Sequence, residues 1–438
     1  MNLRTPLGPP DLSRRRLLQL AGTAVAGGAV ASLAGCGGNR SGDDGTVVVG
    51  SNPDIAELLE EPIAQFTKDN PETTVEVRLL PADSSQYFDQ IRTRLQAGSD
   101  DIDVFSGDVS WVAQLADNGW LADITDRFSE AERAEFLPFE VDARIWKDRV
   151  YGVPWYTDAG ICYYRKDLLE ASGYTEPPAT WDELREMAAR ISQDHNVRYG
   201  FVFQGAQYEG GTVNGMEYIR SAGGDILSGD QVVIGSPEAV RGLSLQRSMV
   251  DSGVSPEAVA QFKEDESAGA FLAGDAVFLR NWPYVYDRLG DTSETELTEA
   301  HVGVTELPAA DPGGQSVNVG GGWAFLVNAY SGRQEAAWRL AAYLTGADWQ
   351  RFYALEGGFM PTRVALYDDQ EILESQPAIA VASEAIQHTT LPPSSPYYSD
   401  MSLAMAKRFN ESLRGAMPPD EAAGILAAEL EEIVAAGQ

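Results

Sequence analysis

Two tryptophans in this chain sit where the backbone is forced to stop or bend, and both could hold a ligand by its apolar face. A helix ending near Phe271-Leu272 is followed by a Gly274-Asp275 turn and a buried β run, Ala276 to Leu279, that breaks at Asn281-Trp282-Pro283. Proline has no amide hydrogen and a fixed φ, so a central strand cannot run through it. Trp282 is therefore delivered at a strand end with its ring free to face a crevice. The second, Trp323, follows Gly320-Gly321-Gly322, which lets the backbone approach something closely. An indole so placed suits the C–H face of a pyranose ring, leaving the hydroxyls to surrounding carboxylates and amides. A core tryptophan at a lobe edge satisfies the same pattern, and the residues alone leave both readings open. The glycines do not match a phosphate loop, because no Lys-Ser or Lys-Thr follows them.

Covalent and metal chemistry find no comparable pattern. His195, His301 and His388 are isolated, and neither a G-x-S-x-G elbow nor a metal-spaced His/Cys set is present. Asp100, Asp101 and Asp103 lack the glycine and distal glutamate of a calcium loop and read as an acidic turn. A glycosidase needs only two placed carboxylates. With 66 acidic residues some pair can always be found, so such a pair decides nothing. No cofactor and no metal are expected.

The elements that must position these residues alternate. Thr46 to Val49 reads as a strand, Ile55 to Phe66 as a helix ended by Asn70-Pro71, Thr74 to Leu80 as a strand, and Tyr87 to Gln96 as a helix leading to Asp103-Val104-Phe105. Strands alternating with helices predict an open α/β sheet, with the loops at 50–54, 81–86 and 106–110 sharing one rim beyond the strand ends. Tyr151 to Trp155 reads as a strand leaving this region and Ile161 to Tyr164 as the next. Thr180 and Glu183 form a capping box, and Arg198 to Phe203 is a further strand. The stretch ending at Trp282 closes a second α/β region, and from Arg333 onward the spacing is mostly helical.

At 438 residues the chain is too long for one small core and predicts two lobes. Ser13-Arg14-Arg15-Arg16 precedes a weakly apolar stretch that ends in Leu33-Ala34-Gly35-Cys36. That order resembles a twin-arginine export signal and a lipobox, giving a signal peptide over 1–35, a lipidated Cys36 and a flexible tether over 36–45. Cys162 is then the only other cysteine, so no internal disulfide forms. The formal charge is -34, and the first 35 residues contribute +3, which leaves about -37 from Cys36 onward. Nucleic acid is excluded as a partner at that charge. In a long exported chain, the lack of an enzyme signature favours a binding protein over an enzyme.

The order of motifs resembles the extracellular solute-binding lipoproteins of ABC sugar importers, the trehalose/maltose-binding type in particular. The matching segments are the lipobox, Phe105 to Trp111, Val153 to Leu168, Phe271 to Pro283, Gly320 to Phe325 and Ser395 to Tyr398. The resemblance implies a type II periplasmic-binding-protein-like fold, α/β in both lobes. Crossings are expected near Val153-Pro154, Val304 to Pro308 and Gly357 to Pro361, so that lobe one is 45–153 plus 309–358 and lobe two 154–308 plus 359–438. It also implies a ligand site made of the acids Asp54, Asp108 and Asp158, the polar Gln86, and Tyr156, Trp282, Tyr284, Gly322, Trp323 and Tyr398. The arginine often found six residues before the tyrosine matching Tyr398 is Pro392 here, which leaves Arg363 to reach the site instead. The implied partners are a sugar, a permease with a separate ATPase, and the cell membrane through the lipid, with the protein itself a monomer. A polyamine or peptide ligand on the same fold, or an exported glycoside hydrolase, is the alternative.

Overall fold

The computed structural model describes residues 45–229 and 231–436. The expected signal peptide, Cys36 and nearly all of the tether lie outside the described residues. The strands that matter for the site are β1 (Thr46–Ser51), β2 (Thr74–Leu79), β3 (Val104–Asp108), β4 (Gly152–Asp158), β5 (Ile161–Arg165), β6 (Tyr199–Val202), β7 (Ala276–Asn281), β8 (Val302–Glu306), β9 (Gly321–Val327) and β10 (Met360–Pro361). They form a six-stranded sheet in the order β10-β4-β9-β3-β1-β2 and a four-stranded sheet in the order β8-β5-β7-β6.

Neither sheet is purely parallel. β1 runs parallel to β2 and β3, as expected from strands joined through helices, but β9 arrives antiparallel to both β3 and β4. In the second sheet β7 is parallel to β6 and antiparallel to β5. Both faces of the first sheet are covered. Val47, Val49, Phe325 and Val327 pack on one side, while Val48, Phe105, Ala324 and Leu326 pack on the other, the period-two alternation of a strand buried on both faces. The capping box at Thr180 and Glu183 is formed as the sequence predicts.

The chain passes between the sheets at other points than the residues suggest. β4 does not leave at Pro154: it stays paired with β9 through Asp158. The missing amide hydrogen of Pro154 is absorbed by a one-residue register shift between Trp323 and Ala324, opposite Trp155. The passage therefore falls at Ala159-Gly160. Val319 still pairs with Thr390, whereas Gly321 opens β9, so the return lies at Gly320. Met360 and Pro361 pair with β4, and Arg363 and Val364 are still held to Phe136 and Glu135, so the chain does not leave the first sheet over Gly357 to Pro361.

Candidate functional site

Because β1, β2 and β3 are parallel neighbours, their carboxyl ends meet at one rim. Tyr87 stitches that rim together, its hydroxyl 3.1 Å from both the Gly50 carbonyl and the Ser106 hydroxyl. At the end of β3, Asp108 caps the following turn, with Oδ1 accepting from the Ser110 amide at 2.9 Å and the Ser110 hydroxyl at 2.5 Å. The turn holds Trp111, whose ring meets Trp323 edge-on at 5.2 Å. From Trp323 the aromatic surface continues to Tyr156, stacked at 6.5 Å and 17°, then to Phe359 at 4.7 Å and Tyr284 at 6.5 Å. The wall thus runs from the first sheet to the turn that follows β7.

Carboxylates are set against this wall. Asp158 ends β4 opposite Gly321, and a Cβ at Gly321 would stand 3.6 Å from Asp158 Cβ and 3.9 Å from the Trp282 ring, so acid and indole flank one bare stretch of backbone. Burial pushes the Asp158 carboxyl well above the usual carboxylate range; Glu140 and Asp108 push the same way and Arg280 opposes them. Glu140 is fully buried, ion-paired with the equally buried Arg144, and accepts from the Thr157 hydroxyl at 2.6 Å. Asp108 is raised by burial, against its Ser110 bonds and the charge of Arg144. Low dielectric and like charge act together on this group of acids.

The second sheet supplies the facing side. Arg280 is 1% exposed one residue before the end of β7, and its guanidinium lies 4.0 Å from the Trp282 ring centroid. Glu209 accepts from the Tyr398 hydroxyl at 2.6 Å and from Ser402, and burial followed by Asp108 raises it to about 7. At the outer edge Lys263 forms an ion pair with Asp83 and lies 5.1 Å from the Tyr208 ring, a bridge from the helix before β7 to the loop before Ser84–Gln96.

Tyr156, Trp323 and Tyr284 therefore belong to one run of aromatic contacts, Asp158 and Trp282 flank Gly321, and Tyr398 bonds to Glu209, which feels the charge of Asp108. The close approach allowed by Gly322 is to the protein itself: at φ +152° a Cβ there would stand 2.8 Å from Glu140 Oε1. Asp54 lies in the short helix Pro53–Ala56, and its side chain is outside the described residues. Gln86 is on the exposed face of its helix, and its backbone N–H donates to the capping Asp83 Oδ1 at 2.9 Å. Arg363 does not reach the cleft. It forms an ion pair with Glu135, donates to the Thr345 carbonyl at 2.8 Å and covers Phe136 at 4.3 Å, because β10 turns away before it. Arg363→Ala is expected to lower stability by about 1–2 kcal/mol in a denaturant titration while ligand affinity stays within about two-fold, since the two sites share no partner.

Sequence reasoning missed Glu140, Arg144, Glu209, Glu217, Arg280 and Phe359. The i,i+4 spacing of Glu140 and Arg144 was the one readable signal. Glu217 and Arg280 lie 63 residues apart and meet only where the helix Glu209–Ser221 packs on β7.

The description "bacterial extracellular solute-binding protein" fits residues 52–351. The chain belongs to that family. A probable ABC transporter-binding protein of Deinococcus radiodurans is 34% identical over 310 residues, 69% of this chain and 72% of that protein. Among solved structures, maltose-bound MalE3 of T. maritima is 36% identical with a TM-score of 0.83 and covers 88% of this chain and 99% of that one. A solute-binding protein of Thermotoga lettingae, bound to α-D-tagatose, is 27% identical with a TM-score of 0.78, covering 89% and 99%. The two-lobed α/β fold of the family is thereby established. No helix among the described residues is long and apolar enough to cross a membrane.

Proposed function

We propose that this protein is the extracytoplasmic capture subunit of an ABC importer, taking a small sugar, a disaccharide or α-glucoside such as maltose or trehalose, between its lobes. The observation that supports this reading is the meeting of a continuous run of aromatic rings, from the first sheet to the turn after β7, with buried and half-buried carboxylates beside it. Rings cover the C–H faces of a sugar, and carboxylates accept pairs of vicinal hydroxyls. Trp282, Trp323, Tyr156 and Tyr284 are assigned to the faces, Asp108, Asp158 and Asp54 to the hydroxyls, and Tyr398 to the rim beside Glu209. The likeness to a maltose-bound protein at 36% identity supports the ligand class. No bond is made or broken in this cycle. The lobes pivot on the passages at Ala159-Gly160 and Gly320 and on the segment after Val364, and closure presents the loaded form to a permease driven by a separate ATPase.

The same reading makes the protein a monomer held at the outer face of the membrane by lipid on Cys36. Cys36→Ala should move the protein from the membrane fraction to the medium; retention at the membrane would contradict the anchor. The ligand class is tested by tryptophan-fluorescence titration of residues 37–438 with maltose, trehalose, sucrose, glucose, xylose and spermidine. A saturable response to one sugar supports the reading, and a response to spermidine alone overturns it.

A further inference from the structure

The Trp282 ring does not stand alone. The guanidinium behind it is held by Glu217 through two contacts, Arg280 Nε to Oε2 at 2.9 Å and Nη2 to Oε1, while Nη1 donates to Gln204 Oε1 at 3.1 Å. Gln204 is fixed in turn by donating to Ser267 at 2.7 Å and to the Arg280 carbonyl at 3.0 Å, and by accepting from Asn214 at 3.1 Å. Arg280 and Glu217 are each about 1% exposed. A buried pair of this kind is weak evidence of stabilisation, since two charges leave water to form it, and its use is sought in what it touches.

It touches both of the first two passages between the lobes. At Gly160 a Cβ would stand 2.4 Å from Glu217 Oε1 and 2.5 Å from Arg280 Nη2, so the first passage lies directly on the pair and admits only glycine. On the second, the Val319 amide points to Glu217 Oε1 at 3.5 Å, one residue before the turn into β9. Its third contact is the Trp282 ring. One rigid, planar, doubly held cation thus meets the ligand platform on one side and two hinge segments on the other, and it is also the charge that opposes Asp158.

We propose that the Arg280–Glu217 pair is a positioning unit that fixes the Trp282 platform and couples ligand on that ring to closure of the lobes. This rests on the sugar-capture reading, and the experiment separates the two. The double variant Arg280→Met/Glu217→Leu replaces the pair by apolar side chains of similar size, a change that buried pairs commonly tolerate. Maltose is the probe, with affinity read by calorimetry, closure by the fall in radius of gyration in small-angle scattering, and ring position by the Trp282 emission (wild type minus Trp282→Phe).

The variant is expected to fold, to bind maltose at least about 20-fold more weakly, to show a shifted Trp282 emission and to remain open at maltose saturation. Arg280→Lys, which keeps the charge but not the plane, should fall between the two proteins and serves as the second variant if the double one does not fold. In the Trp282→Ala background, the same Arg280→Met/Glu217→Leu replacement should cost little further affinity, because the platform the pair supports is already gone. Additive losses, or a variant that binds and closes as the wild type does, would overturn the proposal. A wild type that binds no sugar would overturn the capture reading first and this one with it.

Discussion

Replacing Trp282 by alanine is expected to weaken sugar binding by roughly 100-fold or more, about 3 kcal/mol, while leaving the fold intact. Trp282 is half-buried at the end of β7 and turns one face to Arg280, so its removal opens space beside the cleft and leaves the strand whole. β7 itself is anchored by Phe278 and Leu279 in the core of the second sheet. The loss has two sources: the apolar area that a ring face removes from water, and the orientation of the hydroxyls toward Asp158, which lies across Gly321 from the indole. Trp282→Phe keeps a smaller face and should retain part of the affinity. Calorimetric titration of the three proteins checks this, and equal affinities for wild type and Trp282→Ala would remove the indole from the site.

The second large effect is a stability that declines as the solution becomes more alkaline. Glu209 is raised by burial and by Asp108 from 4.5 to about 7, so between those values the folded chain holds a proton that the unfolded chain releases. A group of this sign stabilises the fold below its unfolded value, and the advantage is lost as pH rises through the folded one. For Glu209 the window is about pH 4.5 to 7, and the loss across it is roughly 3 kcal/mol. Asp108 and Asp158, also raised mainly by burial, act in the same direction. Glu209→Gln presents one acceptor and one donor group to Tyr398 and Ser402, as the protonated acid does, and carries no charge at any pH. Its denaturation midpoint should match that of the wild type near pH 4.5 and exceed it above pH 7. Parallel pH profiles for the two proteins would show that Glu209 titrates normally.

How far the residues foretold this arrangement depends on whether the cause was local. The helix Glu264–Leu272, the turn, the strand Ala276–Asn281 and the stop at Pro283 were legible because glycine, proline and an apolar run each act on their own neighbours. The capping box at Thr180 was legible for the same reason. β4 was misjudged at Pro154 because the shift that accommodates a proline belongs to its pairing with β9, more than 160 residues away. Arg363 was misplaced because its partner Glu135 comes from a distant part of the first lobe. Asp108, Asp158 and Trp282 could be placed through short motifs because they stand at strand ends, where the fold leaves little freedom. Arg280 carries no such mark: its partner Glu217 stands on the helix Glu209–Ser221 and meets it only when that helix packs on the second sheet.

The most direct test of sugar capture without chemistry is equilibrium dialysis of residues 37–438 against radiolabelled maltose, followed by chromatography of the sugar recovered from the denatured complex. The account predicts saturation at one maltose per chain and recovery of intact maltose after prolonged incubation. Release of glucose would mark the chain as a hydrolase, and no saturable uptake of maltose or of any other sugar in the panel would contradict the capture site itself.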